Sequence, residues 1–170
     1  LSSKPEPVIE AFTNLPRVAE VLAAGSTKAS VRLDDGVQMD LRVVPPKVYG
    51  AALMYFTGSQ AHNVKLSGLA QSKGLKLSEY GVFKGDRRLA GRTEESVMKK
   101  LGLAFIPPEL REDRGEVEAA LEDELPELVE LSDIRGDLHV HSNYSDGHST
   151  IEEVARAAKA AGSKYVSIND

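Results

Sequence analysis

The sequence contains no cysteine. Disulfides, zinc–thiolate centres and cysteine nucleophiles are therefore excluded. No apolar run approaches the roughly 18 residues a membrane helix needs, which excludes a transmembrane helix and argues for no membrane partner. The first residues do not read as a secretory leader of the charged-then-apolar kind, so none is expected, and the sequence shows no internal repeat and no low-complexity tract. What is present is ordinary globular material: 170 residues, 41% apolar and 28% charged. That composition argues against a wholly disordered chain, and the length suits one domain or two small ones.

The formal net charge of -5 conceals an asymmetry. Residues 1–100 carry 15 Lys and Arg against 10 Asp and Glu, whereas residues 101–170 carry 6 against 16. A basic first part can lie along phosphates, and an acidic second part can solvate, link or hold cations. The chain starts at Leu1 without Met, and its last residues read as a strand without a cap. Both ends are expected to be cuts from a longer chain.

Val8 to Leu22 reads as helical stretches broken by Pro16. Strands follow at Lys28 to Leu33 and Val37 to Val44, joined by the hairpin signal Asp34-Asp35-Gly36. Pro45-Pro46 ends the second strand. Tyr49 to Gly74 reads as two helices broken at Thr57-Gly58-Ser59. Leu75 to Leu89 is strand-like, with a turn at Lys84-Gly85-Asp86. Thr93 caps a helix that runs to about Leu101. After the stop at Phe105-Ile106-Pro107-Pro108, an acidic stretch to Asp133 reads as a linker with one short helix near Gly115 to Leu125. Strand Gly136 to Val140, helix Thr150 to Ala161 and strand Lys164 to Ile168 make a βαβ unit, the beginning of a parallel sheet.

Three constellations carry possible chemistry. In Val37 to Val43, alternation puts Val37, Met39, Leu41 and Val43 on one face and Gln38, Asp40 and Arg42 on the other. Asp40 on a cleft-facing strand can hold Mg²⁺ beside substrate phosphates, with Arg42 restraining it, or the two form a surface ion pair. In Tyr55-Phe56-Thr57-Gly58-Ser59 with His62, Asn63 and Lys65, Gly58 lets backbone approach a ligand. The two rings there either wall a sugar or base, or pack in a core. In Asp137 to Gly147, His139 and His141 point the same way from a strand, about 7 Å apart by the strand rise. They lie at the strand's C-terminal end, where α/β sheets place their sites. With Asp146 they make a nitrogen–oxygen donor set suited to Zn²⁺, Mn²⁺ or Fe²⁺. His148 reads as a surface residue.

Taken together, Asp40-Leu41-Arg42, Tyr55-Phe56-Thr57-Gly58-Ser59, Asn63 and Glu79-Tyr80 resemble the palm and thumb of a family X DNA polymerase. His139-Val140-His141 with Ser145-Asp146-Gly147 resembles the first motif of a PHP (polymerase and histidinol phosphatase) domain. The tandem is similar to the bacterial and archaeal family X enzymes that carry both. The resemblance implies an α+β palm and thumb followed by the first βαβ of a (β/α)7-type barrel. By it, residues 1–45 would be the end of the palm, 46–106 the thumb, 107–135 an acidic linker and 136–170 the start of the PHP domain.

The resemblance also implies roles. Asp40 would be the third carboxylate of the polymerase triad and a ligand of Mg²⁺ or Mn²⁺, with Arg42 restraining the triad. Tyr55, Phe56 and Gly58 would line the nucleotide sugar, and Asn63 would reach the minor-groove edge of the base. Lys65, Ser67 and Tyr80 would face DNA, Ser67 standing where relatives often carry Arg or Lys. His139, His141 and Asp146 would hold Mn²⁺ or Zn²⁺, and Asp170 resembles the Asp of an Asp-His pair. The implied protein is a monomeric, cytoplasmic, nucleoid-associated gap-filling polymerase acting on gapped or primer–template DNA and dNTP, with a 3′–5′ exonuclease. The alternatives are a PHP-type phosphoesterase with a degenerate polymerase half, and a non-catalytic DNA-binding module. The 170-residue piece alone is expected to be inactive.

Overall fold

A computed structural model describes residue 2 and residues 4–170. The chain divides into two units, Leu1–Leu125 and Pro126–Asp170. In the first, helix α1 (Pro5–Thr13) starts on a proline, whose fixed φ suits a first turn. The helical pattern expected to run on to Leu22 stops there. Residues Val18–Ala24 form strand β1 instead, pairing antiparallel with β2 (Lys28–Leu33) from Val18↔Leu33 to Ala24↔Ala29. Ala19, Glu20 and Leu22 are good helix formers, but a sheet partner outweighs a propensity of a few tenths of a kcal/mol per residue.

Strand β3 (Gln38–Arg42) pairs with β2 on its other side, setting Ser30 opposite Asp40. The turn between them has Gly36 at φ 85°, a left-handed conformation that suits glycine. Arg17 ties the turn down by contacts to Asp34 (2.9 Å) and Asp35 (2.6 Å). The apolar alternation along β3 is covered only at its end. Leu41 and buried Val43 pack with Ile9, Phe12 and Ala29, whereas Val37 and Met39 stay exposed.

A single 3-10 turn, Pro46–Val48, leads into helices α2 (Tyr49–Thr57) and α3 (Gln60–Ser72). An antiparallel sheet of β4 (Lys76–Ser78), β5 (Gly81–Lys84) and β6 (Arg87–Ala90) follows, then α4 (Glu94–Leu101). Thr93 caps α4 as expected, in a reciprocal capping box with Ser96, and Gly102 closes it in the left-handed conformation. Met54, Leu66, Val82, Val97, Met98, Leu101 and Ile106 form the core between these elements.

The same core takes in residues the sequence reading gave to the acidic linker. Helix α5 (Glu116–Glu122) buries Val117 and Ala120 in it, and Leu110 and Leu125 pack against it. Three-residue spacing puts Val117 and Ala120 on one helix face, while Glu118 and Glu122 point outward. Most of the acidic residues of this stretch therefore face solvent; Glu116 is the buried exception.

In the second unit, a 3-10 turn at Leu131–Asp133 precedes β7 (Gly136–Val140), α6 (Ile151–Ala160) and β8 (Tyr165–Ile168). β7 and β8 are parallel neighbours. Thr150 caps α6 in a capping box with Glu153.

Candidate functional site

Strand β3 delivers Asp40 and Arg42 to the same face, as alternation requires. Asp40 is exposed, and its carboxylate accepts hydrogen bonds from Ser30 Oγ across the ladder and from Gln38 Nε2 at 3.3 Å. These bonds, Ser30's first, hold its carboxyl below the ordinary range, so it is a ready anion at neutral pH. The restraint expected from Arg42 takes another form. Its guanidinium carbon lies 5.5 Å from the centroid of the Phe56 ring, a cation–π contact between the strand and α2. Ser30 and Gln38, not Arg42, are the residues bonded to Asp40.

Tyr55 and Phe56 are exposed, 45% and 53%, with their rings edge to face at 5.2 Å. The pair is therefore not packed in a core. Both line a concavity of about 610 Å³ together with Gly58, Ser59, Asn63 and Ser67. The turn at its base has Gly58 at φ 72° and ψ -150°, where a side chain is strongly disfavoured. The Gly58–Ser59 peptide bond is cis. Ser59 Oγ accepts from His62 N–H at 3.3 Å and so caps α3, while Asn63 N–H donates to the Ser59 carbonyl. The Asn63 side chain donates from Nδ2 to the Tyr55 carbonyl at 2.7 Å, fixing its amide at the pocket wall.

One ion pair on a buried arginine and one buried hydrogen-bonded pair stand behind this turn. Arg111, fully buried, donates from Nη1 to Glu94 Oε1 (2.7 Å) and from Nε and Nη2 to the Ile106 carbonyl. Its own carbonyl accepts the Ser59 N–H at 2.8 Å. His62, also fully buried, meets Glu116 Oε1 through Nδ1 at 2.6 Å. Glu94, Arg111 and Glu116 carried no local signal in the sequence, because the side-chain partner of each lies 17 or more positions away.

Lys65, expected to face DNA, is paired with Asp113 at 3.0 Å and Glu118 at 2.7 Å. Tyr80 lies exposed in the β4–β5 turn and is not among the residues lining the pocket. Ser67 is at the pocket rim and offers a hydroxyl in place of a cation.

In the second unit, β7 brings His139 and His141 closer than the strand rise alone suggests. Their ring centroids are 5.0 Å apart and their Nε2 atoms 3.0 Å apart. Two imidazole nitrogens bound to one ion at about 2.0–2.1 Å would stand about 3 Å apart, so the pair fits as two donors to a single ion. Asp146 does not join them on that side. Its carboxylate faces His141 Nδ1 at 3.1 Å, the opposite ring nitrogen, where Ser145 Oγ also lies. In this arrangement Asp146 orients the ring, as outer-shell carboxylates of metal-bound histidines do. Among the described residues no group of three or more His, Asp or Glu gathers around one point fit for a metal.

Asp170 accepts from Ser142 N–H at 2.6 Å and from Ser145 Oγ at 2.8 Å, and it also bonds Ser142 Oγ. These bonds, those of Ser142 foremost, hold its carboxyl below the ordinary range. Gly147 is required by close approach, since an added Cβ would lie 2.2 Å from the His141 carbonyl oxygen.

An antiparallel sheet followed by helices packed with a second antiparallel sheet defines the class: the α+β palm-and-thumb fold of polymerase beta. Residues 52–112 match the family described as DNA polymerase beta thumb. The chain is 39% identical over 170 residues to the DNA polymerase/3′-5′ exonuclease PolX of Bacillus subtilis, covering 98% of this chain and 30% of that relative. It is 36% identical over 87 residues to DNA polymerase lambda of Rattus norvegicus, covering 44% of this chain and 15% of the relative. A ternary gap complex of Leishmania infantum polymerase beta matches in fold, with a TM-score of 0.56 at 23% identity, over 66% of this chain and 53% of that one. Together the thumb-family match and the likeness over nearly the whole chain support a fragment of a family X DNA polymerase. It spans less than a third of the length of the Bacillus relative.

Proposed function

We propose that this chain is the palm–thumb segment of a gap-filling DNA polymerase, followed by the opening strand–helix–strand of a PHP domain with metal-dependent 3′–5′ exonuclease activity. The observation that carries the polymerase reading is the pocket built on Gly58, Ser59 and Asn63, with Arg42 of the Asp40 strand lying over its Phe56 wall. In that reading Tyr55, Phe56 and Gly58 receive the sugar of a dNTP. Asn63 takes the minor-groove edge of its base, where contacts barely distinguish one base from another. Asp40, with carboxylates from elsewhere in the polymerase, would hold Mg²⁺ or Mn²⁺. Such ions neutralise charge that develops on the transferring phosphoryl group. Arg42 buttresses the pocket through Phe56. The substrate is gapped or primer–template DNA, bound by a monomer in the cytoplasm at the nucleoid. Lys65 reaches phosphate only by leaving Asp113 and Glu118.

The test is extension into a one-nucleotide gap by the polymerase that carries this chain. Asp40→Ala should lower the rate by about 10³-fold or more, the scale of losing a group that acts on the transition state. Extension at the wild-type rate would refute the assignment of Asp40.

A second reading, a PHP-type phosphoesterase with a degenerate polymerase half, is favoured by the convergence of His139 and His141 and by the uncharged Ser67. There His139 and His141 hold Mn²⁺ or Zn²⁺ and Asp146 orients His141. It expects phosphoester hydrolysis that is lost with His139→Ala, and no nucleotide incorporation.

A further inference from the structure

Helix α3 forms one wall of the nucleotide pocket through Asn63 and Ser67, and its cap residue Ser59 forms the floor. Its inner side carries a histidine in an unusual position. His62 is fully buried, and its Nε2 has no hydrogen-bond partner. A buried polar atom left unpaired costs stability, so the other nitrogen must contribute enough to keep the residue there. That nitrogen, Nδ1, meets Glu116 at 2.6 Å. Glu116 is itself only 7% exposed, and its carboxylate also accepts the N–H groups of Asp113 (3.0 Å) and Arg114 (2.7 Å).

The pair thus closes a chain of bonds. Glu116 fixes His62, the backbone N–H of His62 donates to Ser59 Oγ, and Asn63 N–H donates to the Ser59 carbonyl. Glu116 lies beyond the matched thumb segment, which ends at residue 112. It stands instead on α5, whose Val117 and Ala120 anchor it in the thumb core.

We infer that Glu116 and His62 act together as positioning residues for the nucleotide pocket, so that the acidic segment after the thumb sets the place of Ser59 and Asn63. This rests on the polymerase reading for its kinetic consequence, and on the geometry alone for its structural one.

Two measurements test it. The first is hydrogen–deuterium exchange of residues 59–67 in the 170-residue chain, which needs no catalysis. Glu116→Ala and His62→Leu should each speed exchange there about tenfold, because the first turn of α3 opens locally. Unchanged exchange in both variants overturns the inference.

The second is gap filling by the polymerase carrying the chain. Each variant should raise the KM for dNTP about tenfold, with kcat within about threefold and DNA affinity within about twofold. The double variant should resemble the singles rather than multiply to about a hundredfold, because coupled residues are non-additive. Multiplication, or a fall in kcat and DNA affinity as large as the change in KM, overturns it. A general loss of stability would lower the melting temperature without producing this split. If the wild-type enzyme incorporates no nucleotide, the polymerase reading fails. The exchange result then decides by itself whether the pair holds the pocket wall.

Discussion

At the scale of single residues, two glycines show how packing decides the sign of one substitution. Gly50 sits in the first turn of α2, and a Cβ there would lie 2.1 Å from the Thr93 carbonyl carbon and 2.5 Å from Glu94 N. Those atoms belong to the capped start of α4, which cannot yield as a flexible side chain would. Gly68, on the exposed side of α3, has nothing within 4 Å of such a Cβ. Gly50→Ala should therefore destabilise the first unit by about 3 kcal/mol, the upper end of overpacking costs. Gly68→Ala should stabilise it by about 0.5–1 kcal/mol through helix propensity. Urea midpoints of the two variants check both, and equal shifts would contradict the packing argument. Nothing in the sequence separates these glycines, because the difference lies in what crosses them from 25 or more positions away. Gly58 is the contrary case. Placed between two helical stretches, it was legible as a break, and the structure adds the backbone angles that make glycine necessary there.

At the scale of elements, the periodic signals served where an element is half-buried by its own neighbours and failed where a distant partner decides. β2, α2, α3 and the α4 cap all follow from local pattern. β1 does not, since Val18–Ala24 is a strand only because β2 is beside it. Helix α5 was legible as a helix but not as part of the first unit's core, because its apolar buried face is two short residues, Val117 and Ala120, amid charge. Its anchor Glu116 gives a pH prediction. Burial pushes its carboxyl up, but hydrogen bonds from His62, its own N–H, Arg114 and Asp113 together outweigh that. The net effect holds it below its ordinary value of 4.5. A depressed carboxylate stabilises the fold fully above the unfolded value, and the contribution fades as pH falls through the folded one. The stability difference between wild type and Glu116→Gln should thus be constant above about pH 5.5, where the unfolded-state carboxyl is also ionised. It should shrink steadily below pH 4.5. Denaturant titrations from pH 6.5 to 3 would show it. A difference that persists undiminished to the acid end would mean the carboxylate's charge contributes nothing.

At the scale of the whole molecule, the chain was readable as two units of opposite charge, and its boundary was not. A composition count places the change of character near the Pro107-Pro108 stop, because acidic residues begin there. Packing places it 18 residues later, after Leu125. The discrepancy is physical. Composition records the solvent side of a segment, whereas a boundary is set by where the last apolar side chains leave the core. Between the two positions lie Arg111 with its bonds to Glu94 and Ile106, Val117, Ala120 and Glu116, the partner of His62. Burying a valine contributes about 1.5–3 kcal/mol, and breaking a buried ion pair by losing one partner costs about 3–5 kcal/mol. Removal after Ile106 would strip the buried valine, take Arg111 from Glu94, and leave the buried His62 with no hydrogen-bond partner at either ring nitrogen. Set against a total stability of roughly 5–15 kcal/mol, that loss is enough to unfold the first unit. A chain ending at Leu125 should keep the cooperative thermal transition of the first unit. One ending at Ile106 should lack it, with weak near-ultraviolet circular dichroism at 25 °C. If the shorter chain melts cooperatively and within a few degrees of the longer one, segment 107–125 is a tether after all. Ser59 would then keep its place without the Arg111 carbonyl.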